Sequence, residues 1–254
     1  MMTENDVLNP PETLDATAAR SVAAQEVWLV LAREAASLAL SWPAGGDTVD
    51  VPAGWRGLLL LDRLDLSVSS GRLRFQPLRL EALTKLLAFI DESRDAEQAP
   101  ADAHWAMLAL GEDEAWADRR ACEYWFLRQV LQPTEAFSAL LSLLRRSESY
   151  WLVRFLLAQS VCGDKLQQLG ERYGVSYSHF RRLCRNALGN AAKTELRGWR
   201  MARSLLDVVE GRDSLTQVAL KHGYASSSHF SNEIKDLIGV SPRGLSNIIQ
   251  LASK

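Results

Sequence analysis

The residues with the clearest chemistry lie in one basic stretch, where Ser178, Arg181, Arg182 and Arg185 recur at helical spacing. An arginine guanidinium can donate two hydrogen bonds to the O6 and N7 atoms of guanine, and a good pair discriminates between bases by roughly 1–3 kcal/mol. Serine hydroxyls and arginines also bind phosphate oxygens. The spacing therefore predicts a helix face that contacts DNA, and a merely solvated basic face is the alternative.

A second polar set follows later in the chain and is less basic than the first. It comprises Ser227, Ser228, Ser231, Asn232 and Lys235. Because serine and asparagine side chains contact both base edges and phosphates in protein–DNA interfaces, we predict the same role for this set.

Both sets lie inside two copies of one pattern, at residues 164–189 and 213–239. Each copy has a short apolar stretch at helical spacing, a turn glycine, a Ser-His-Phe triplet and a second apolar stripe. Such a repeat indicates one supersecondary unit used twice. Two short helices joined by a tight glycine turn predict a helix-turn-helix unit, whose second helix enters a major groove.

Polar residues at the predicted helix starts agree with this interpretation. Asp164 is predicted to cap the first helix with Gln167 as its partner, as Ser214 and Gln217 would do in the second copy. Ser176 is placed to cap the second helix of the first unit.

One carboxylate departs from the repeat. Glu233 stands in the second copy where the first has Leu183, so it must reach solvent or find a partner. His179 and His229 recur beside the apolar stripe and are predicted to be structural or phosphate-facing, whereas His222 is predicted to lie on an ordinary helix surface. The remaining stripe residues are Phe180, Cys184, Ala187 and Leu188 in the first copy, and Phe230, Ile234, Leu237 and Ile238 in the second.

Residues 191–210 are predicted to form one long helix between the two units. A helix of about 20 residues spans about 30 Å, which is close to the ~34 Å of one turn of B-DNA. The two second helices are therefore expected in successive major grooves on one face of a duplex. The apolar side of the long helix would consist of Leu196, Trp199, Leu205, Leu206 and Val209.

Charge is divided unevenly along the chain, which has a formal net charge of −2. Of its 29 Lys and Arg and its 31 Asp and Glu, residues 160–254 hold 14 and 8, a net of +6, which leaves a net of −8 for the rest. A basic domain can neutralise phosphates. An acidic domain is repelled by DNA and suits a protein partner, although such differences also arise simply to keep surfaces soluble.

The first part of the chain is predicted to combine strands with helices. Residues 1–20 read as a loose tail, and residues 22–40 fit either a helix or a helix that runs into a strand at 38–42. Short strands are predicted at 48–51, 57–61, 64–68 and 72–75, with a hairpin turn at 69–71. A helix at 78–91, a polar linker at 93–103 and a strand at 104–110 follow.

From Glu112 the pattern becomes helical, with Thr134 placed to cap a later helix. The helix that begins near Glu112 and the helix that follows Thr134 fit either a surface that binds a second copy or another partner, or a pair that merely packs over the core of its own domain. Arg145-Arg146-Ser147 is the predicted boundary, and residues 150–159 the first helix of the next domain. Ser241-Pro242 is predicted to start a last helix, with Leu245, Ile248 and Ile249 inward.

The fold class predicted from these features is α+β. After the tail, residues 21–146 form a regulatory or partner-binding domain, a small mixed β domain with helices. Residues 147–254 form an all-α domain with helix-turn-helix units at 165–188 and 214–238, joined by the long helix.

Several functional classes lack the residues that they need. No apolar run approaches the ~20 residues that span a bilayer, and the polar start of the chain is not a signal peptide. Cys122, Cys162 and Cys184 lack the spacing of a zinc site or a disulfide framework, which favours a reducing cytoplasm. No glycine-rich phosphate loop or hydrolase motif appears, so we predict no enzyme, no metal and no cofactor.

Three stretches resemble the DNA-binding domain of the AraC/XylS family: WRMARSLL at 199–206, LTQVALKHGYASSSHFSNEIK at 215–235 and GVSPRGL at 239–245. The resemblance covers about residues 150–250, and it implies two helix-turn-helix units and transcriptional regulation, usually activation. By position, the residues that would face bases are Ser178, Arg181 and Arg182 in the first groove, and Ser227, Ser228, Ser231 and Asn232 in the second.

The second unit departs from that family pattern at two positions. Asn232 stands where the family usually has a basic residue, and Ile234 stands where it usually has phenylalanine. Base choice by the second unit is therefore open.

Residues 228–245 (SHFSNEIKDLIGVSPRGL) are more narrowly similar to the InvF/MxiE-like activators of type III secretion genes. That resemblance implies promoter DNA and RNA polymerase as partners, a place at the nucleoid in the cytoplasm, and a secretion chaperone as coactivator. Three hypotheses follow: a protein-gated activator, a small-molecule-gated regulator, and an interaction protein that does not bind DNA. The intact arginine face opposes the third, and a homodimer stays open in each.

Overall fold

The computed structural model describes residues 7–94, 103–111, 116, 118–132, 134–159 and 164–244. Contacts divide the chain into two units, Met1–Trp151 and Leu152–Lys254. The boundary that the sequence predicts, at 146/147, lies shortly before this division. Most of the predicted linker at 93–103 and the predicted inward residues Leu245, Ile248 and Ile249 lie outside the described residues.

A six-stranded antiparallel sheet forms the first unit. The long fifth strand is its centre, because four of the other strands pair with it directly. The strands are β1 (Glu12–Asp15), β2 (Ala19–Leu31), β3 (Ala36–Trp42), β4 (Gly45–Val51), β5 (Arg56–Pro77) and β6 (Trp105–Ala109).

Alternating apolar residues of these strands fill the core of the sheet unit. Leu64, Leu66 and Val68 in β5 point to one side and are buried, as the period of two along a strand requires. The rings of Trp28 and Phe75 stack with their centroids 3.9 Å apart, and both are fully buried.

The predicted hairpin turn at 69–71 and the division of 57–75 into separate strands are wrong, because β5 continues through all of them. Gly71 has a φ of +74°, and a Cβ there would lie 2.1 Å from the Ala35 carbonyl oxygen. Glycine therefore allows β5 to pass close to the residue before β3 instead of turning back. The pairing with β3 shifts register between Ser37 and Leu38, which marks a bulge.

The predicted loose tail at 1–20 and the helix that both alternatives place from residue 22 are also wrong within the described residues. The strand that the second alternative places at 38–42 is confirmed by β3. β1 pairs with β5 from Glu12 to Asp15, and β2 and β3 occupy Ala19–Leu31 and Ala36–Trp42. The alanines in this region favour a helix by propensity. Pairing with β5 and burial of Val27–Val30 outweigh that preference.

Three helices complete the first unit: α1 (Glu81–Arg94), α2 (Arg119–Leu131) and α3 (Glu135–Arg145). The backbone N–H of Phe137 donates to Oγ1 of Thr134 at 3.2 Å, which confirms the predicted cap. At the end of α3, Arg145 donates to both carboxylate oxygens of the buried Asp91, at 2.8 and 2.9 Å. The Tyr150 hydroxyl donates to the same carboxylate at 2.8 Å.

The rest of the described chain is helical, which confirms the predicted α+β class with two helix-turn-helix units. The helices are α4 (Glu148–Gln159), α5 (Leu166–Tyr173), α6 (Tyr177–Leu188), α7 (Ala192–Glu210), α8 (Leu215–Lys221) and α9 (Ser227–Ile238). Beyond α9, the backbone N–H of Gly244 donates to Oγ of Ser241 at 3.2 Å, the start of the predicted last helix. None of the helices described is long and apolar enough to cross a membrane.

Candidate DNA-binding surface

The first helix-turn-helix unit is built from α5, a glycine turn and α6. Gly174 ends α5 in the left-handed conformation with φ +83°, and Oγ of Ser176 accepts from the backbone N–H of His179 to cap α6, as predicted. Gly170 lets the helices approach closely, because a Cβ there would lie 3.2 Å from Cβ of Phe180. The buried Phe180 therefore fixes how α6 sits on α5.

The start of α5 differs from the prediction by one residue. Asp164 does not cap it with Gln167, since the N-cap is Lys165, whose backbone N–H donates to Oε1 of Gln168 at 3.0 Å. Asp164 instead accepts from Nη2 of Arg172 at 2.7 Å. This ion pair ties the segment before α5 to the last turn of α5.

The outward face of α6 carries the predicted contact residues. Ser178, Arg181, Arg182 and Arg185 are all exposed, on the side opposite the buried stripe that holds Phe180. Arg181 lies over the Tyr177 ring with its guanidinium carbon 5.7 Å from the centroid. None of the three arginines forms an ion pair with the residues that the structure describes, so their donors face solvent.

The second helix-turn-helix unit repeats this construction with α8, a glycine turn and α9. Oγ of Ser214 accepts from the backbone N–H of Gln217, which confirms the predicted capping box. Gly223 turns with φ +68°, and Oγ of Ser226 caps α9. Tyr224 and Phe230 pack with ring centroids 4.9 Å apart in a shared apolar cluster.

The predicted contact set on α9 is less uniformly exposed than the set on α6. Ser228, Asn232 and Lys235 are exposed, while Ser227 and Ser231 are half-buried. The stripe behind them holds the buried Phe230 and Ile234, but Ile238, predicted to face inward, is 40% exposed because it lies in the last turn of the helix. The side chain of Leu237 lies outside the described residues.

The one carboxylate in that stripe has found a partner. Glu233 is only 6% exposed, and its Oε1 accepts from Nε of Arg197, on α7, at 2.9 Å. The hydrogen bond to Glu233, with the charge of Glu233, raises the pKa of Arg197. Nε2 of His229 lies 4.0 Å from the other Glu233 oxygen. Glu233, which departs from the repeat, therefore connects α9, the second helix of its helix-turn-helix unit, to the long helix α7.

His222 is buried at 4% exposure, so its predicted place on the helix surface is wrong. Its Nε2 lies 2.6 Å from Oδ2 of Asp207, and Nζ of Lys221 lies 2.9 Å from the same oxygen. Burial raises the pKa of Asp207, but the hydrogen bonds from Lys221 and His222 outweigh it and lower that pKa overall. The cluster fastens the end of α8 to α7.

The long helix α7 connects the two helix-turn-helix units and packs on α6 of the first and on α8 of the second. Nη1 of Arg203 donates to the Leu157 carbonyl oxygen in α4 at 3.0 Å, and Arg200 lies over the Tyr224 ring at 4.9 Å. Trp199, Met201 and Val208 are buried. Leu206 and Val209, predicted on its apolar side, are 62% and 46% exposed, because they lie toward the end of the helix and off the buried stripe.

A groove of about 920 Å³ runs along α6 and the first half of α7. It is lined by the predicted Ser178, Arg181, Arg182 and Arg185, and by three cations on α7 that the sequence analysis missed: Lys193, Arg197 and Arg200. Their spacing of i, i+4 and i+7 places them on one helix face. That spacing is the signal that identifies them. The groove extends the basic surface of α6 onto the long helix.

The cysteines and histidines do not form a second kind of site in the described part of the chain. No group of three or more metal-binding side chains occurs there. Burial raises the pKa of the Cys122 thiol to about 12 and that of Cys184 to about 11. Both are free and buried, so they are packing residues with little thiolate character at neutral pH.

Known proteins resemble this chain over the same region and beyond. A helix-turn-helix domain family matches residues 169–247. The invasion protein InvF of Salmonella typhi is 57% identical over 199 residues, which cover 78% of this chain and 92% of InvF, and InvF of Salmonella typhimurium gives the same values. The transcriptional regulator MxiE of Shigella flexneri is 44% identical over 131 residues, which cover 50% of this chain and 62% of MxiE. A solved structure of ToxT from Vibrio cholerae covers 94% of this chain at 11% identity, but its TM-score of 0.34 is too low to bear on the fold.

Proposed function

Because this chain belongs to the AraC-type transcriptional activators of type III secretion genes, together with InvF and MxiE, we propose that it reads promoter DNA with both recognition helices and is gated by a protein coactivator. The coactivator, a secretion chaperone, binds the first unit. The DNA-bound protein recruits RNA polymerase, and it works at the nucleoid in the cytoplasm.

The observation that carries the DNA-binding part is the exposed arginine face of α6. Arg181, Arg182 and Arg185 project from a helix whose other side is locked by Phe180 and Cys184. A recognition helix needs such a fixed inner face and free donors outside. In this proposal Arg182 and Arg181 donate to base edges, and Arg185 lies closer to the phosphates.

The second helix-turn-helix unit adds further contacts with DNA, and the length of α7 sets the distance between the two contact sites. Ser228, Asn232 and Lys235 form the exposed face of α9, with Ser227 and Ser231 at its edge. Asparagine can form two hydrogen bonds with adenine N6 and N7. Because α7 has 19 residues, at 1.5 Å per residue it is about 28 Å long. That length suits recognition helices placed in successive major grooves.

Phosphate contacts come from the groove beside α6. Lys193 and Arg200 face the same groove as the arginines of α6. A backbone that lies along this groove would be neutralised from both helices, with release of counterions. The net charge of +6 over residues 160–254 supports this arrangement.

The coactivator part rests on the charge and packing of the first unit. Residues 1–159 carry a net charge of −8, which disfavours contact with DNA and leaves the unit free for a protein partner. Its sheet core is occupied by its own large side chains, including the stacked Trp28 and Phe75.

A reporter experiment tests both parts. The chain is expressed with a promoter fusion from its own secretion genes in a host that lacks those genes, with and without the secretion chaperone. We expect activation only with the chaperone, and much weaker activation with Arg182→Ala. Full activation without the chaperone would remove the gating, and unchanged activation by Arg182→Ala would remove the assigned base contact.

One observation favours a small-molecule gate as a second candidate. A cavity of about 520 Å³ opens beside β1, and Arg33, Arg72 and Arg74 line it with Asp15 and Glu34. Three guanidinium groups against two carboxylates suit an anionic ligand. A small anion that activates the reporter without the chaperone, and raises the Tm of the protein, would favour this candidate.

A further inference from the structure

Helix α2 presents an apolar stripe to solvent. Tyr124 is 71% exposed, Leu127 41% and Leu131 74%. Their spacing of i, i+3 and i+7 puts them on one side of the helix. Large apolar side chains that are this exposed and this close together are characteristic of a surface that binds another protein.

The other side of α2 is fixed inside the first unit. Trp125 and Phe126 are buried and pack on Phe137 of α3, with ring centroids 5.8 and 5.6 Å apart. Cys122 and Val130 are buried on the same side. The helix is therefore anchored by one apolar face and presents a second, which its own unit does not use.

The charges beside the stripe are positive. Arg120 and Arg128 are exposed on α2, and neither forms an ion pair with the residues that the structure describes. Arg119 is paired with Glu123 at 2.7 Å, so it neutralises the nearest described carboxylate of the helix. An apolar stripe with two arginines that have no ion-pair partner among the described residues thus lies in a part of the chain, residues 1–159, whose net charge is −8.

This charge pattern decides between two kinds of occupant. In a two-fold pair of α2 helices, residues near the axis face their own copies. With the axis at the middle of the stripe, between Tyr124 and Leu131, Arg128 would face a second Arg128, which is unfavourable. A partner whose apolar groove is rimmed by carboxylates would bury the stripe and pair both arginines.

We propose that α2 is the docking helix for the coactivator, with Tyr124, Leu127 and Leu131 in an apolar groove of the partner and Arg120 and Arg128 on its acidic rim. This inference rests on the proposed function, since it assigns the surface through which the gating acts. Binding of an amphipathic helix in a groove, with anchors at this spacing, is a recurring mode of recognition.

The test measures the Kd between the purified full chain and the purified secretion chaperone of the same system by calorimetry. The variants are Tyr124→Ala/Leu131→Ala, which removes two anchors, and Arg120→Glu/Arg128→Glu, which reverses the rim charges. Leu31→Ala and Arg212→Glu are the matched controls, because Leu31 is an exposed leucine elsewhere in the first unit and Arg212 is an arginine that is 83% exposed at its side chain. Near-ultraviolet circular dichroism of the tryptophans confirms that each variant is folded.

We expect each double variant to weaken binding about tenfold or more, as loss of central anchors does, and each control to change it less than about twofold. In the charge-reversed variant the salt dependence of binding should change sign, because attraction to the acidic rim becomes a repulsion that salt screens. Equal affinity for all variants would overturn the inference and leave the proposed function standing. Absence of binding by the unmodified chain would count against the proposed function itself.

Self-association is measured in parallel by sedimentation. If the unmodified chain is a dimer that Tyr124→Ala/Leu131→Ala converts to a monomer, the stripe is an interface between copies of this chain and the inference is overturned. A sedimentation profile that these variants leave unchanged supports it.

Discussion

Nε of Arg197 on the long helix α7 lies 2.9 Å from Oε1 of Glu233 on the second recognition helix α9. The carboxylate is buried, while the arginine is 62% exposed at its side chain. Glu233 occupies the position at which the first helix-turn-helix unit has the apolar Leu183. An ion pair between α9 and α7 therefore takes the place of apolar packing at this position.

Glu233→Leu and Arg197→Ala are expected to differ in stability. Leucine completes the apolar stripe, and the lost pair is screened by solvent, so we expect a change within about 1 kcal/mol. Arg197→Ala leaves a buried carboxylate with only a distant histidine, and a loss of roughly 1–3 kcal/mol follows. Urea unfolding of both variants measures this. A larger loss in Glu233→Leu than in Arg197→Ala would contradict the assignment.

Arg182→Ala is expected to weaken specific promoter binding, at the segment that α6 contacts, while the fold stays intact. The loss should be about 1–3 kcal/mol, as for one good base contact. Arg212→Ala is the matched control, because Arg212 is 83% exposed at its side chain and lies outside the recognition helices. Gel shifts with specific and unrelated duplexes separate the outcomes. Equal specific affinity for Arg182→Ala and the control would withdraw Arg182 from the interface.

Binding should weaken steeply with salt. Each phosphate that a cation neutralises contributes a slope of about −0.9 in log K against log salt. Lys193→Ala should reduce the slope by about 1 with similar losses on specific and unrelated DNA, because a phosphate contact carries no sequence information. Fluorescence anisotropy over a salt series gives the slopes. A flat series for the unmodified chain would mean that phosphate contacts do not drive binding.

Acid should weaken the attachment of α8 to α7. The pKa of Asp207 is lowered from 3.8 in the folded protein, so its stabilising contribution is present above about pH 4 and is lost as the pH falls through the lowered value. Urea unfolding from pH 6 to pH 3 should show less acid sensitivity in Asp207→Asn than in the unmodified chain. Identical pH profiles would show that the Lys221 and His222 contacts do not hold this carboxylate.

Gly71→Ala should destabilise the sheet unit more than Gly54→Ala does. Both glycines have a left-handed φ, +74° and +80°, but only at Gly71 would a Cβ meet a backbone atom, the Ala35 oxygen at 2.1 Å. Gly54→Ala should cost about 1 kcal/mol for its conformation, and Gly71→Ala clearly more. Thermal melting compares them. Similar losses would mean that β5 does not need this close approach.

The helix-turn-helix units could be predicted because their signals are local. The turn glycines, the caps at Ser176 and Ser214 and the stripes around Phe180 and Phe230 all lie within short stretches. The sheet could not be predicted in the same way. The continuity of β5 depends on partners far away in sequence, and Gly71 reads as a turn until the approach of Ala35 is known.

The same distinction applies within the candidate site. The exposed face of α6 follows from helical spacing alone. The burial of His222 depends on Asp207 in another helix, and the partner of Glu233 is likewise on α7. The groove formed by α6 and α7 adds Lys193 and Arg200, which have the spacing of a basic helix face but no repeat to single them out.

The most direct test of the central claim is a hydroxyl-radical footprint of the full chain, with its coactivator, on a promoter of its own secretion genes. Two protected segments about 10–10.5 base pairs apart are predicted, one for each recognition helix. Arg182→Ala should expose one segment and Asn232→Ala the other. A single protected segment, or one variant that exposes both segments while the other exposes none, would contradict the proposal. Either result would mean that α6 and α9 do not lie in successive major grooves of one duplex.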